Sequence, residues 1–271
     1  MIELFPASDF DGQTLSLIWN TAYAGYFVPM NFTQEVLHRH VRRSGIDLRR
    51  SLVGGVAGEP FGLSLAAVRG DRAWIGGFGI APQFRRKGLA GQLMAAHLAR
   101  LDAGGVEETR LEVIDVNPAR EVYRRCGFRE TRELLMLEGA PRADGAVAMA
   151  LDRERLAAAH DGLNRDRPSW RREWPTVLDG LQEGAVALGV ERAGAVAAYA
   201  VAAEHLGRLV VHDAAAVDRE AAGVLFGALG RRWPGLSIRL VDEPAGTPLA
   251  QAAAAAGLTV GLKQVEMRRA H

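Results

Sequence analysis

The residues best suited to chemistry form a basic turn that contains glycine. Residues 85–91 are Arg-Arg-Lys-Gly-Leu-Ala-Gly. If a helix starts at this turn, it presents free backbone N–H groups and the positive end of its dipole, which together bind anions, phosphate above all. Gly88, Ala90 and Gly91 allow a ligand to approach the backbone closely. The turn lacks the Gly-Lys-Ser/Thr of a Walker loop and the spacing of a dinucleotide fingerprint, so it predicts a phosphate site of another kind.

The flanking patterns predict a strand before this turn and a helix after it. Residues 73–80 are apolar, aromatic and glycine-rich, as in a buried strand, and Pro82 ends the strand. After Gly88, apolar residues recur every fourth position as far as Leu101, which is typical of an amphipathic helix. The phosphate site is therefore expected where a buried strand gives way to a helix.

A second pattern follows downstream. Residues 111–128 predict another strand, then a short helix with Ala119 and Tyr123, then Gly127-Phe128. Together the two patterns resemble the GCN5-related N-acetyltransferases (GNAT). Arg85-x-x-Gly88-x-Ala90 is similar to motif A of the family, and Ala119-x-x-x-Tyr123-x-x-x-Gly127-Phe128 is similar to its second signature. Asn117 lies one position nearer the alanine than in the usual pattern.

The resemblance implies acetyl-CoA as cosubstrate and a primary amine as acceptor. It places the pantetheine arm along Phe78, Gly79 and Ile80, with the Ile80 N–H as a donor to the oxyanion. It implies that Tyr123 protonates the leaving thiolate, for which a phenol has a suitable pKa; the alternative is that Tyr123 only packs. The remaining residues that it implies for the cofactor are Arg85, Arg86, Lys87, Gly88, Leu89, Ala90, Gly91 and Asn117.

The acceptor side and the general base are less defined. In this architecture the first two helices and their loop cover the acceptor, which makes Tyr23, Tyr26, Phe27 and Met30 candidate substrate contacts, with simple packing as the alternative. The expected strand at 73–80 has no carboxylate to act as a base. Glu112, Asp115 and a relay of water molecules are the alternatives.

The second half of the chain resembles a diverged repeat of the first half. Residues 221–229 are similar to 89–97, and a Pro-to-Gly spacing of nine residues occurs at both 118–127 and 248–257. In the copy, Gly88 corresponds to Glu220, Arg85 to Val217 and Tyr123 to Ala253. A carboxylate in that turn repels phosphate, so we expect the copy to bind no CoA.

The expected fold is α/β (α+β), with two tandem GNAT-like domains. Each is a mixed, mostly antiparallel twisted sheet flanked by helices, and the first is splayed at the CoA site. The expected domains are 1–138, catalytic, and 146–271, degenerate, joined by a linker at 139–145.

The composition of the chain limits the kinds of partner and cellular location that we expect. A net charge of +1 argues against nucleic acid. The single Cys126 argues against a disulfide framework and for the cytoplasm, and His38 and His40 lack the companions of a metal site. Neither a signal peptide nor a membrane span is expected. Sheet edges could pair two copies into a homodimer. A CoA-binding sensor or interaction module without transfer activity, and acyl transfer to oxygen, are the alternative functions.

Overall fold

The computed structural model describes residues 2–143, 147–164 and 166–271. Within these ranges the chain forms two compact units. The first unit consists of Met1–Thr131 and Val265–His271, and the second unit of Arg132–Gln264.

The first unit contains a sheet with strand order β1-β2-β3-β4-β5, and the last residues of β12 lie beside β5. Its strands are β1 (Glu3–Pro6), β2 (Leu52–Val56), β3 (Glu59–Arg69), β4 (Arg72–Ile80) and β5 (Glu108–Ile114), and its helices are α1 (Gly12–Ala22), α2 (Gln34–Ser44), α3 (Leu89–Ala103) and α4 (Ala119–Arg125). Two further strands, β6 (Arg129–Gly139) and β12 (Thr259–Ala270), contribute residues to both units.

Helix starts follow local capping chemistry. Thr33 caps α2 by accepting the Val36 N–H. Ser8 and Asp9 lie in a 3-10 turn at Ala7–Asp9, and Asp11 caps α1 by accepting the Thr14 N–H at 2.8 Å.

The parallel strands β4 and β5 part after three residues. Arg72–Trp74 pair with Glu108–Arg110, whereas β4 remains paired with β3 as far as Ile80. In the part of the chain that the structure describes, the second half of β4 therefore has a strand on one side and an open edge on the other. This gap is the splay that the resemblance implied.

The second unit repeats this order of elements. Its strands are β7 (Met149–Ala150), β8 (Val186–Arg192), β9 (Ala195–His205), β10 (Arg208–Ala216) and β11 (Ser237–Pro244), and its helices are α5 (Arg153–Leu163), α6 (Trp174–Gln182), α7 (Arg219–Arg232) and α8 (Pro248–Ala253). From β7 to β12 the succession of strands and helices matches that from β1 to β6. The predicted repeat is thus confirmed in the fold, including a strand, β11, that the sequence patterns had not indicated.

The sheet of each unit is completed by the closing strand of the other repeat. In the second unit the order is β6-β11-β10-β9-β8-β7, so β6, the last strand of the first repeat, lies beside β11. The end of β12, the last strand of the second repeat, belongs to the first unit.

The compact units consequently divide the chain at different places from the expected domains, 1–138 and 146–271. Residues 144 and 145 of the expected linker lie outside the described residues. The domain boundaries stay a prediction.

Candidate active site

The turn before α3 has the backbone of an anion site. Gly88 adopts φ 77°, the left-handed conformation that favours glycine, and no side chain caps the helix. The first intrahelical bond runs from the Gln92 N–H to the Gly88 carbonyl, so the N–H groups of residues 89–91 point out of the helix end. The first turn contains no acidic residue. The positive end of this helix is thus available to a phosphate.

The three basic side chains before Gly88 differ in role. The Arg85 guanidinium turns back and donates to the carbonyl oxygens of Ile80 at 2.8 Å, Ala24 at 2.8 Å and Ala22 at 3.2 Å. It braces the end of α1 against the end of β4 and is engaged within the protein. Arg86 and Lys87 are exposed beside the turn and can add positive charge there.

The open edge of β4 offers two backbone donors. The Phe78 N–H donates to the Tyr23 hydroxyl at 3.0 Å. The Ala81 N–H donates to Phe61 on β3, and because successive N–H groups point to opposite edges of a strand, the Ile80 N–H points to the same open edge as that of Phe78. Gly79 lies between these donors, and its Cα packs against Ala22.

Tyr123 lies on α4 next to this edge. Its ring packs against Phe78 and Phe128 with ring centroids 5.7 and 6.1 Å apart, and only 6% of the residue is exposed. Burial raises the pKa of Tyr123 well above its ordinary value, and the neighbouring Tyr23, Tyr26 and Cys126 raise it further. The phenol is therefore protonated at neutral pH, and its raised pKa makes it a weaker acid than an exposed tyrosine.

Tyr23 and Tyr26, two of the four candidate acceptor residues, lie near Tyr123 and the open edge of β4. Tyr23 packs edge-on against Tyr26 at 5.1 Å, and burial raises the pKa of both. The Tyr26 hydroxyl bonds to Asn117, which partly offsets that rise. Phe27 contacts the Tyr26 ring but is 51% exposed, and Met30 is partly buried.

Asn117 holds local structure as well as Tyr26. Its Oδ1 accepts the Ala119 N–H at 2.9 Å at the start of α4. The side chain therefore links the α4 terminus to the phenol cluster of Tyr23, Tyr26 and Tyr123, and direct contact with the cofactor stays a prediction.

An aromatic cluster missed from the sequence adjoins the phenols. Trp19 stacks on Tyr23 and on Phe32, each at 4.6 Å, and His40 lies edge-on to Trp19 at 5.5 Å. The His40 Nε2 donates to the Gly76 carbonyl of β4 at 2.9 Å. The density of aromatic residues from Trp19 to Phe32 was the signal available for the cluster, but nothing in the sequence brought His40 to it.

The candidate bases are placed differently from one another. The Glu112 carboxylate accepts the Trp74 indole N–H at 2.6 Å and is held on the sheet. Asp115 is partly buried, and its backbone carbonyl accepts from Arg120. The general base stays undecided between these groups and water.

The corresponding turn of the second unit carries negative charge. Asp218 caps α7 by accepting the Ala221 N–H at 2.9 Å, and Glu220 lies in the first turn. Ala253, at the position of Tyr123, is buried and has no hydroxyl. These carboxylates occupy the helix end where α3 leaves room for an anion.

The described residues were also compared with the requirements of a metal site and of a membrane-spanning helix. Within residues 2–143, 147–164 and 166–271, no group of three or more His, Cys, Asp or Glu side chains could hold a metal ion. In the same ranges, no helix combines the length and apolar character needed to cross a membrane.

Comparison with known proteins gives a fold for the whole chain and a family match for part of it. Residues 14–128 match the Acetyltransferase (GNAT) family. A GCN5-related N-acetyltransferase from Sphaerobacter thermophilus is 14% identical over 99% of this chain and 95% of its own, with a TM-score of 0.70. One from Anabaena variabilis is 14% identical over 100% and 73%, with a TM-score of 0.64.

A tandem architecture is also found among solved structures. A tandem GNAT protein from the clavulanic acid biosynthesis pathway is 16% identical over 100% of this chain and 98% of its own, with a TM-score of 0.64. No curated protein sequence matches the chain significantly. Residues 14–128 match the Acetyltransferase (GNAT) family, and the whole length of the chain has the fold of a tandem GNAT protein.

Proposed function

We propose that the first unit transfers an acetyl group from acetyl-CoA to a primary amine. The observation that carries this proposal is the open edge of β4, which lies between an uncapped helix start and a buried, protonated phenol. Few other reactions need an anion site, a row of backbone donors and a neutral acid in this order.

The residues present fit acetyl-CoA. The turn from Arg86 to Gly91 would hold the pyrophosphate, and the N–H groups of Phe78 and Ile80 would bond the pantetheine arm and the thioester oxygen. Acetyl-CoA would supply the activated acetyl group. Arg85 would contribute by bracing the loop, because its guanidinium is already engaged with three carbonyl groups.

The proposed chemistry is direct aminolysis of the thioester. The amine nitrogen forms a bond to the acetyl carbon, and the Ile80 N–H stabilises the negative charge that develops on the carbonyl oxygen. The bond from carbon to sulfur then breaks, and Tyr123 gives its proton to the thiolate. The amine loses its proton to water or to a carboxylate, and the Tyr123 phenolate recovers a proton from solvent.

A CoA-binding module without transfer activity is the second candidate. One observation favours it, since Glu112, a candidate base, is held by the Trp74 indole. An acetyl acceptor other than an amine is not favoured by any contact in the site. A cytoplasmic location and a homodimer stay proposals.

Calorimetry with acetyl-CoA tests cofactor binding. We expect one site per chain. Gly88→Asp places a carboxylate at the helix start and should weaken binding by tenfold or more, whereas Gly88→Asn has the same shape, tolerates the left-handed backbone and should bind nearly as the wild type does. Two sites per chain would show that the second unit also binds CoA.

A thiol-release assay across amines tests transfer. Tyr123→Phe should bind acetyl-CoA with unchanged affinity and slow turnover by about a hundredfold, the usual contribution of a positioned acid. If the wild type binds acetyl-CoA but releases no thiol with any of the amines, the first unit is a CoA-binding module without transfer activity, and the proposed acetyl transfer is wrong. Absence of binding would overturn both.

A further inference from the structure

A cavity of about 350 Å3 lies within the second unit, at the splay between β10 and β11. These parallel strands pair only from Arg208–Val211 with Ser237–Leu240, so their last residues diverge as those of β4 and β5 do. The lining residues include Ala214–Ala216 of β10 and the segment Glu243–Leu249. The proposed acetyl transfer in the first unit makes no use of this cavity.

Arg172 lies in the wall of the cavity. Its guanidinium donates to Asp213 at 2.9 Å, to the Asp242 carbonyl at 3.3 Å, and to Glu243 and the Ala214 carbonyl. The side chain is 4% exposed and bridges the two diverging strands. It fills the part of the gap that a pantetheine arm would need, so the remaining cavity suits a smaller ligand.

The charges of the cavity favour a cation. The Arg172 guanidinium, which lines the cavity, is shared by two carboxylates, Asp213 and Glu243. Asp242 pairs with a guanidinium of its own, that of Arg171, and the His160 imidazole lies 3.7 Å from Asp213. Asp213, Asp242 and Glu243 are at most 2% exposed, where solvent screens an unbalanced charge poorly. Burial raises the pKa of Glu243, whereas Arg172 and the Thr247 hydroxyl lower it.

Ser169 adds a hydrogen-bonding group that lacks a partner. The residue lines the cavity, is 1% exposed, and its hydroxyl bonds to no group in the described part of the chain. Buried hydroxyls are nearly always satisfied in folded proteins. The walls beside it are apolar, with Leu163, Pro168 and Leu249 next to the alanines of β10.

We propose that this cavity binds a small molecule that carries a primary ammonium group on a short apolar body. Glu243 supplies the compensating charge, Ser169 a hydrogen bond, and the alanines of β10 the apolar contact. The site is separate from the proposed acetyl-transfer site and does not depend on transfer in the first unit.

Calorimetry on the full chain with three matched probes tests the proposal. n-Butylamine, n-butanol and n-butyrate share one apolar body and differ in charge. We expect saturable binding of butylamine, at least tenfold tighter than that of butanol, and no binding of butyrate. Equal binding of all three, tighter binding of butyrate, or no binding of butylamine would overturn the proposal.

Variants locate the site. Ser169→Ala should weaken butylamine about threefold, and Glu243→Gln by tenfold or more, with folding of each checked by circular dichroism. If Glu243→Gln fails to fold, the Ser169→Ala variant and the comparison of the three probes still test the proposal. Glu112→Gln, in the first unit, is the control and should bind butylamine as the wild type does. Loss of binding in this control, with binding retained in the Ser169 and Glu243 variants, would place the amine in the first unit and refute the inference.

Discussion

Replacing Tyr23 by Phe should strengthen the binding of acetyl-CoA, although it removes a hydrogen bond. The Tyr23 hydroxyl accepts the Phe78 N–H at 3.0 Å, and this N–H is one of the donors that the pantetheine arm would use. In the free protein the hydroxyl must therefore leave before the cofactor takes its place. Tyr23→Phe destabilises the free form and leaves the bound form unchanged.

The magnitude follows from one exchanged hydrogen bond. Such a bond contributes about 1 kcal/mol net in a partly solvated place, which corresponds to about fivefold in the dissociation constant. The same loss should lower the stability of the free protein by about 1 kcal/mol, and the difference should vanish when acetyl-CoA is saturating. Calorimetry gives the first quantity and thermal unfolding with and without cofactor gives the second.

Tyr26→Phe is the matched control for this prediction. Its hydroxyl bonds to Asn117, away from the strand edge, so its removal should not increase affinity. If Tyr23→Phe binds acetyl-CoA with equal or lower affinity than the wild type, the hydroxyl and the cofactor do not compete for Phe78, and the placement of the pantetheine arm on this edge is refuted.

Three further predictions concern the fold. His97 is buried, and burial lowers its pKa to about 4, so between pH 6.5 and 4 the unfolded chain binds a proton that the folded chain does not. The free energy of unfolding should therefore fall by roughly 3 kcal/mol as the pH falls from 6.5 to 4. Denaturant midpoints measured across this pH range test the prediction, because His97→Gln should lack this part of the pH dependence. Gly77→Ala would place a Cβ 2.3 Å from the Trp19 ring, and thermal unfolding should show a loss of about 1–3 kcal/mol. Residues 1–138 expressed alone should not fold stably by circular dichroism, because they lack the strand beside β5 and the buried Met267; a cooperative transition would contradict this.

The strand, turn and helix of the candidate cofactor site were predictable because their determinants are local. A strand that ends in Pro82, a glycine that permits a positive φ, and a helix without an acid in its first turn lie within twenty residues of each other. Negative charge at the corresponding turn of the second repeat was likewise a local feature, although the structure places Asp218, and not the expected Glu220, at the helix cap where the first repeat has Gly88.

Contacts between distant segments were not predictable. The Arg85 side chain has charge suited to phosphate, but the carbonyl groups of Ala22 and Ala24, which end a helix some sixty residues earlier, hold it. No periodicity in the sequence indicates that His40 meets Gly76, or that the closing strand of each repeat completes the sheet of the other unit.

The two splays show why similar backbones differ in what they can bind. Parallel strands that part leave backbone N–H and C=O groups without a strand partner, and each unit must satisfy them in another way. The first unit uses the neutral hydroxyl of Tyr23, a bond whose loss costs about 1 kcal/mol and which a ligand can replace. The second unit uses Arg172, tied to Asp213 and Glu243, and removing one member of a buried ion pair costs about 3–5 kcal/mol. We therefore expect a pantetheine arm to displace the group in the first gap but not the one in the second, which would confine acetyl-CoA to the first unit and leave the second only the smaller cavity lined by Arg172.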